Sequence, residues 1–363
     1  MSAPAYRMAV AVLLASTALA ACSDDEPELA EEWSVRAALE QVPASTAQDG
    51  LFVVTADLDA AIAAADVERS GEPDELDWLI AITGGAQGGS VGRVFVPMAR
   101  GFNVEYLRDG EFAAAAGWSV HDVDSFVESG QPPRVLTVAA GDFDDDTLAD
   151  GLVEVEDDIV SNRDAEDGTT DLSQANGLSP IGVPIRMSEA DGLIALSTST
   201  ELVRSWRDGA DALAGEERAA AVADALDDED VYAAVLSDPL AVDALGARTT
   251  SPALIERLLA RVPEQAYDAV GIGWSLDDGA VQVQVAYHFA DERDAAGGAA
   301  ALEALWREGV SVRDGRPFAE RLEVVEVETD DSVVTVELLP TAEGRPQLAF
   351  EMLQNGEPLF VSR

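Results

Sequence analysis

The first candidates for chemistry in this chain are three carboxylates at alternating positions, Asp142, Asp144 and Asp146. This spacing begins the calcium-binding loop of EF-hand proteins, where Gly at position six makes a sharp turn and Glu at position twelve supplies a bidentate ligand. Those two positions hold Thr147 and Val153 here, so the EF-hand motif is incomplete. We predict no resident metal, and a weak calcium site at the three aspartates is the hypothesis that remains.

The same aspartates also fit a structural role. Asp144 is a favourable N-cap residue, because its side chain accepts hydrogen bonds from the first free backbone N–H groups of a helix. The aspartates that follow would lie near the positive end of the helix dipole. We therefore predict a short helix at 144–152, a strand at 153–160 and an acid-rich loop at 161–180.

A second motif runs from Gly88 to Gly92 with Ser90 at its centre, and it matches the G-x-S-x-G pattern of a nucleophile elbow. That elbow requires a strand before the serine and a helix after it. Here the sequence predicts a helix before the motif and a strand-like segment, 93–97, after it. We interpret the motif as a glycine-rich connector. A hydrolase that uses serine and carboxylates is the alternative hypothesis.

The chain has two histidines. His121 is close in sequence to Ser119, Asp122 and Asp124, and neighbours this close are typical of a turn or a helix cap rather than a catalytic triad. His288 belongs to the polar set of a strand in which apolar and polar residues alternate, so we predict an exposed imidazole. Neither histidine is predicted to be catalytic.

Composition excludes several classes of chemistry. All 22 basic residues are arginine, so the lysine of a phosphate-binding P-loop and the lysine of a Schiff base are both absent. A single cysteine excludes a CxxC redox motif, and two histidines cannot form a three-histidine zinc site. The net charge of −48 repels nucleic-acid phosphate, so no nucleic-acid partner is predicted. We expect no cofactor, and the sequence favours a non-enzymatic protein.

The N-terminus carries the most specific signal. Arg7 precedes an apolar segment at 8–21, which is shorter than the roughly 20 residues that a membrane-spanning helix needs and is typical of a secretory signal peptide. The segment ends in Leu19-Ala20-Ala21-Cys22, which resembles the lipobox of bacterial lipoproteins. The resemblance implies that signal peptidase removes residues 1–21 and that the Cys22 thiol receives a diacylglyceryl group. The mature protein would then be lipid-anchored in the cell membrane, on its extracytoplasmic face.

The mature part is similar to lipoproteins of unknown function from high-GC Gram-positive bacteria. The similarity lies in the segments 117–124 (GWSVHDVD), 131–138 (QPPRVLTV) and 141–144 (GDFD). It implies no catalytic mechanism.

The elements that would position these residues are predicted to be α+β. Two hairpins, 267–276 with 280–289 and 322–327 with 333–339, carry turn signals at Asp277–Gly279 and Thr329–Ser332. They favour antiparallel sheets with helices packed on one face. Trp274 and Trp306 are predicted to fill the core.

We predict two domains after the signal peptide 1–21. The segment 22–48 would be an acidic tether with the first helix. The segment 49–262 would be an N-terminal α+β domain with a helical second half, several helices covering 210–261. The segment 263–363 would be a C-terminal domain with ββαββα order.

Together these features predict a membrane-anchored extracytoplasmic lipoprotein that acts as a non-enzymatic binding or envelope-associated module, with an envelope protein as a possible partner. A solute-binding lipoprotein of a transporter is the alternative. It would need two lobes built on parallel sheets, whereas the hairpins favour antiparallel ones.

Overall fold

The fold is described from a computed structural model of the chain. The structure describes residues 33–70, 76–84, 92–102, 110–144, 146–242, 256, 259–260, 262–277 and 279–363. The lipobox, the tether at 23–32 and Ser90 lie outside the described residues, so the predictions made on them stay predictions. Within the described part, no helix is long and apolar enough to cross a membrane.

A twelve-stranded antiparallel sheet organises the described part of the chain, with the order β12-β13-β11-β10-β8-β1-β2-β3-β7-β6-β5-β4. The remaining strands, β9 and β14, form a short parallel pair. The strands, in chain order, are Phe52–Asp57 (β1), Val123–Gln131 (β2), Arg134–Gly141 (β3), Val153–Glu156 (β4), Ile159–Ser161 (β5), Arg186–Ala190 (β6), Leu193–Ser197 (β7), Ala233–Ser237 (β8), Leu240–Ala241 (β9), Tyr267–Asp277 (β10), Ala280–Phe289 (β11), Leu322–Asp330 (β12), Val333–Pro340 (β13) and Val361–Ser362 (β14).

Helices cover both faces of this sheet, not one face as the sequence pattern suggested. The α+β class and the antiparallel pairing are confirmed. The helices are Val35–Glu40 (α1), Leu58–Ala65 (α2), Asp77–Ile82 (α3), Glu111–Ala116 (α4), Thr200–Arg207 (α5), Glu217–Asp227 (α6), Glu292–Glu308 (α7) and Leu348–Asn355 (α8). Side chains of α2, α3, α4, α7 and α8 belong to the apolar core on one face, and those of α1, α5 and α6 to the core on the other.

Local side-chain signals set the ends of several elements. Asp57 caps α2 by accepting the N–H of Ala60, and Asp291 caps α7 in the same way. Asp191 and Gly192 both adopt positive φ in the β6–β7 turn, which is the conformation that an Asp-Gly pair supplies. Both C-terminal hairpins are present, and their helix–strand order follows the predicted ββαββα plan.

Three parts of the sheet differ from what the sequence predicts. The region predicted to be helical, 210–261, contains a central strand, β8, which pairs with both β1 and β10. β2 was not predicted at all. The predicted strand at 153–160 is a hairpin, β4 and β5. The strands missed here are short or buried on both faces, and such strands lack the polar–apolar alternation that marks a half-exposed strand.

The predicted helix at 144–152 is wrong for the residues that the structure describes there. The Thr147 hydroxyl and the Asp144 carboxylate hydrogen-bond to each other, and the N–H groups of Asp144 and Asp146 are bound by these two side chains. Such local side-chain bonds compete with helix hydrogen bonds and favour a turn.

The two predicted domains share this sheet, because β8 of the first pairs with β10 of the second. From the centre outward, β1-β2-β3-β7-β6 and β8-β10-β11-β13-β12 have the same connectivity, and the two central strands are antiparallel neighbours. The strand order therefore repeats once along the chain, with the β4–β5 hairpin extending the first half.

Candidate functional site

A cavity lies where the chain enters and leaves the β12–β13 hairpin. Its volume is about 320 Å³. Three segments form its walls: the turn that follows α7, the loop after β13, and α8. The lining residues are Ser311, Arg313, Asp314, Arg316, Arg321, Glu343, Arg345, Leu348, Glu351, Met352, Asn355 and Glu357. We call it the arginine-lined cavity.

The turn at 311–316 folds on itself through backbone and side-chain bonds. The N–H of Ser311 donates to the carbonyl of Arg316, and the N–H of Gly315 donates to the carbonyl of Ser311. Gly315 has a φ of 72°, a conformation that glycine adopts without strain. The Asp314 carboxylate accepts the N–H of Arg316 at 3.0 Å. The turn therefore places Arg313 and Arg316 on one rim.

The carboxylates that line the cavity are already engaged. Buried Glu357 accepts the Ser311 hydroxyl at 2.6 Å and the N–H of Val312 at 2.7 Å. Glu351 accepts from Arg345 at 3.2 Å, whereas the Glu343 contact to Arg316 is looser, 3.6 Å. Asp314, Glu351 and Glu357 thus each accept at least one hydrogen bond, and Glu343 has an ion-pair contact only.

Asp314 is the acid of this cavity whose pKa is lowered by its surroundings. Burial would raise the pKa of its carboxyl, but hydrogen bonds from the Arg316 N–H and from Ser311, together with the charges of Arg321 and Arg316, lower it. Asp314 therefore remains ionised down to lower pH than an isolated aspartate, and it continues to hold Arg321 through its other oxygen.

The arginines have more donors than these acids occupy. No hydrogen bond or ion pair joins the Arg313 guanidinium to another described residue. Arg321 is largely buried, with 11 % of its side chain exposed, and only its Nη1 is bonded, to Asp314 at 3.2 Å. Its Nε and Nη2 have no partner in the described structure. Those two atoms have almost no accessible surface, so they are buried donors without an acceptor, which costs about 1–3 kcal/mol, and they are not open to a ligand. The binding capacity that the wall offers is the guanidinium of Arg313, which is exposed.

This capacity is unusual in so acidic a chain. Four of the 22 arginines line one cavity, and three of them lie within nine residues of sequence, Arg313 to Arg321. Sequence reasoning missed the cluster. The sequence does show a high local density of arginine from Arg313 to Arg321. Arg345, however, reaches the same cavity only because the β12–β13 hairpin returns the chain to it.

A second concave surface has the opposite charge. It has a volume of about 700 Å³, lies between α6 and the β12–β13 turn, and includes Asp224, Asp228, Glu229, Glu328 and Asp330. Burial and then the nearby carboxylates raise the pKa of Glu229. Among the described residues, no group of three or more acidic, histidine or cysteine side chains is arranged to hold a metal ion.

The structure places the predicted calcium candidates in an exposed turn. Asp144 uses its Oδ1 for the N–H of Asp146 and the hydroxyl of Thr147. Asp142 and Asp146 are also exposed. Calcium binding at these residues stays an untested prediction.

His121 lies in the predicted cap. Ser119 and Asp122 form a capping box, and the Ser119 hydroxyl bonds to Asp122 rather than to the imidazole. The imidazole Nδ1 lies 2.9 Å from the Ser70 carbonyl, and the ring packs edge-on against Trp78. These contacts are those of a packed residue.

The prediction of an exposed His288 is wrong. The residue is 6 % exposed, and its Nδ1 lies 2.6 Å from the Asp268 carboxylate. The polar set of β11 is buried because α6 covers that face, and Gln284 on the same face is fully buried. The other predicted core residues, Trp274 and Trp306, are buried as expected.

Comparisons with known proteins add little to this geometry. No family model and no curated protein matches the chain. Two crystal forms of a protein named TP0453 align weakly. One gives a TM-score of 0.37 at 9 % identity over 87 % of this chain and 97 % of that one, and the other gives 0.36 at 7 % identity over 88 % and 98 %. Similarity this low carries no argument about fold or function.

Proposed function

We propose that this protein is a lipid-anchored extracytoplasmic lipoprotein whose folded part binds a small anionic ligand without converting it. The exposed guanidinium of Arg313, which has no partner among the described residues, supports the binding role of the arginine-lined cavity. The lipobox resemblance at Leu19–Cys22 supports the anchor.

The charges that line this cavity act on a bound anion more strongly than the net charge of the chain does. A chain with a net charge of −48 repels anions at long range. Salt screens that repulsion beyond about 8 Å at physiological ionic strength, so a bound anion responds mainly to the charges that line its site. The arginine-lined cavity holds four arginines and four carboxylates, and among these arginines Arg313 has no ion-pair partner in the described part of the chain, so its charge is available to an anion.

The binding role is tested by titrating inorganic phosphate and succinate into the full-length protein in detergent micelles, at constant ionic strength. We expect saturable heat and a rise in the melting temperature, because a ligand that binds only the folded state stabilises it. The variant Arg293→Lys, at an exposed position on α7, is the control and should bind as the wild type does. Absence of saturable binding for both anions would refute this role.

The anchor is tested separately in cells by Cys22→Ser, which removes the only thiol of the chain. We expect the variant to lose incorporation of labelled fatty acid and to leave the membrane fraction, because stable anchoring depends on the attached acyl chains. An unlabelled wild-type protein that stays with the membrane would contradict the lipoprotein assignment.

The transporter alternative receives no support from the sheet. Its expected two lobes with parallel sheets differ from the antiparallel twelve-stranded sheet of the described residues.

A further inference from the structure

We propose that β12, the strand at one edge of the large sheet, binds an extended cationic segment of a partner protein as an added strand. β12 pairs with β13 on one side, and no described strand joins its other side. It has nine residues, whereas β4 at the opposite edge of the sheet has four. A free edge of this length offers a row of backbone donors and acceptors with which a further strand can pair.

The open part of this edge is the second half of β12. Near the beginning of the strand, the carbonyl of Val324 accepts Nη1 of Arg307 at 3.0 Å, so a side chain of α7 covers the edge there. Among the described residues, no hydrogen bond outside the pairing with β13 involves 325–330. These residues are exposed, apart from the half-buried Val327.

The pairing with β13 decides which backbone groups point outward. Asp330 lies opposite Val333, and two residues connect them. In such a hairpin the pair next to the turn exchanges both hydrogen bonds, and inward and outward groups then alternate along the strand. The N–H and C=O groups of Val327 and Thr329 therefore point away from β13, and an added strand would bond to these two residues.

The side chains of β12 decide the charge of the partner. Four of its residues, Glu323, Glu326, Glu328 and Asp330, are exposed acids, and none forms an ion pair with a described arginine. Antiparallel pairing with a second copy would bring the carboxylates of the two copies together, and like charges opposite one another are destabilising. The acids therefore oppose self-association through this edge and favour a strand that carries arginine or lysine.

The acidic concave surface described above extends the same charge beyond the strand. It includes Glu328 and Asp330 and continues to Asp224 on α6. On the same face of the sheet, Glu337 of β13 lies opposite Glu326, and burial together with that neighbouring charge raises the pKa of Glu337. Cationic side chains over this face would relieve the repulsion, so an added strand gains ion pairs as well as backbone hydrogen bonds.

The experiment titrates three eight-residue peptides into the full-length protein in non-ionic detergent micelles at physiological salt. The first alternates arginine and threonine, the second alternates glutamate and threonine, and the third is the arginine peptide methylated at every backbone nitrogen. We expect the first to bind at least tenfold more tightly than the other two, because only it combines positive charge with free backbone donors. Equal binding of the two arginine peptides would overturn the proposal.

Amide hydrogen exchange locates the bound peptide. We expect the arginine peptide to slow exchange within 325–330 and to leave β4 unchanged. Binding without slower exchange in 325–330 would place the peptide elsewhere and overturn the proposal. Slow exchange of Val327 and Thr329 in the protein without peptide would show that the chain itself already covers the edge, which would also overturn it.

Charge variants of the two sheet edges separate specific binding from general attraction. Glu326→Gln combined with Glu328→Gln removes two carboxylates from β12 and should weaken binding of the arginine peptide at least threefold. Glu154→Gln combined with Asp157→Asn is the matched control, because it removes the same charge from exposed positions in the hairpin at the other edge, and it should have no effect. An equal loss in both variants would indicate general attraction to an acidic chain and would overturn the proposal.

Discussion

The contact between helix α6 and strand β10 allows a quantitative test of the covered sheet face. Gly271 lies in β10, and a Cβ at this position would lie 2.4 Å from Cγ1 of Val222 and 2.9 Å from Cδ1 of Leu226. Carbon atoms in favourable contact are about 3.5–4.0 Å apart. Gly271→Ala would therefore require a displacement of more than about 1 Å at the helix.

The displacement is not easily absorbed. Val222 is β-branched and lies within α6, where one χ1 rotamer is strongly preferred, so its methyl group cannot turn away freely. Overpacking of this kind costs about 1–3 kcal/mol. Replacing glycine by alanine also restricts the unfolded chain, which returns about 0.4–1 kcal/mol. We expect Gly271→Ala to lower the free energy of unfolding by about 1.3 kcal/mol, the difference between the midpoints of those two ranges.

The assay is urea unfolding followed by tryptophan fluorescence. Gly215→Ala is the control, because no atom lies within 4 Å of its would-be Cβ, and it should be neutral or slightly stabilising. In a double-mutant cycle, Val222→Ala should relieve the clash and give a coupling energy of at least about 0.5 kcal/mol. If Gly271→Ala is as stable as Gly215→Ala, or if the cycle shows no coupling, α6 does not cover this face as described.

Two further predictions concern buried polar groups. Burial raises the pKa of Glu128 above its ordinary 4.5, against hydrogen bonds from the Gly101 N–H and the Thr137 hydroxyl. The folded state then keeps this proton to higher pH than the unfolded state, so the free energy of unfolding falls as pH rises through that window. In urea unfolding measured from pH 4 to 8, Glu128→Gln should lose this contribution, so its free energy of unfolding should fall less with rising pH than that of the wild type. Equal slopes for the two proteins would contradict the prediction. Trp306→Phe should lose about 1–3 kcal/mol, because it removes the 3.0 Å bond from the Trp306 Nε1 to the buried Tyr287 hydroxyl. Placed in a Tyr287→Phe background, the same change should cost clearly less, and an equal cost would show that the bond contributes nothing.

Turns and caps could be predicted because they depend on a few adjacent residues. The Asp-Gly turn at 191–192 and the caps at Asp57 and Asp291 follow from side chains that satisfy backbone groups or tolerate positive φ within the same segment. The hairpin of β10 and β11 follows from the same kind of signal. None of these features needs knowledge of a distant part of the chain.

Burial and the candidate site needed distant partners. Alternation in β11 suggested one exposed face, yet Gln284 and His288 are buried because α6, about 60 residues earlier in the sequence, packs on that face. β8 was hidden for a related reason, since a strand covered on both sides lacks alternation.

The sequence by itself determined the chemistry available to this protein: arginine without lysine, one cysteine in a lipobox-like motif, and a surplus of acids. Only the tertiary structure decided that Arg345 joins Arg313, Arg316 and Arg321 around one cavity. The physical reason is that turns and caps are settled by backbone geometry over a few residues. A cavity wall is instead settled by which elements pack together, and here the return of the β12–β13 hairpin brings the two ends of that segment into contact.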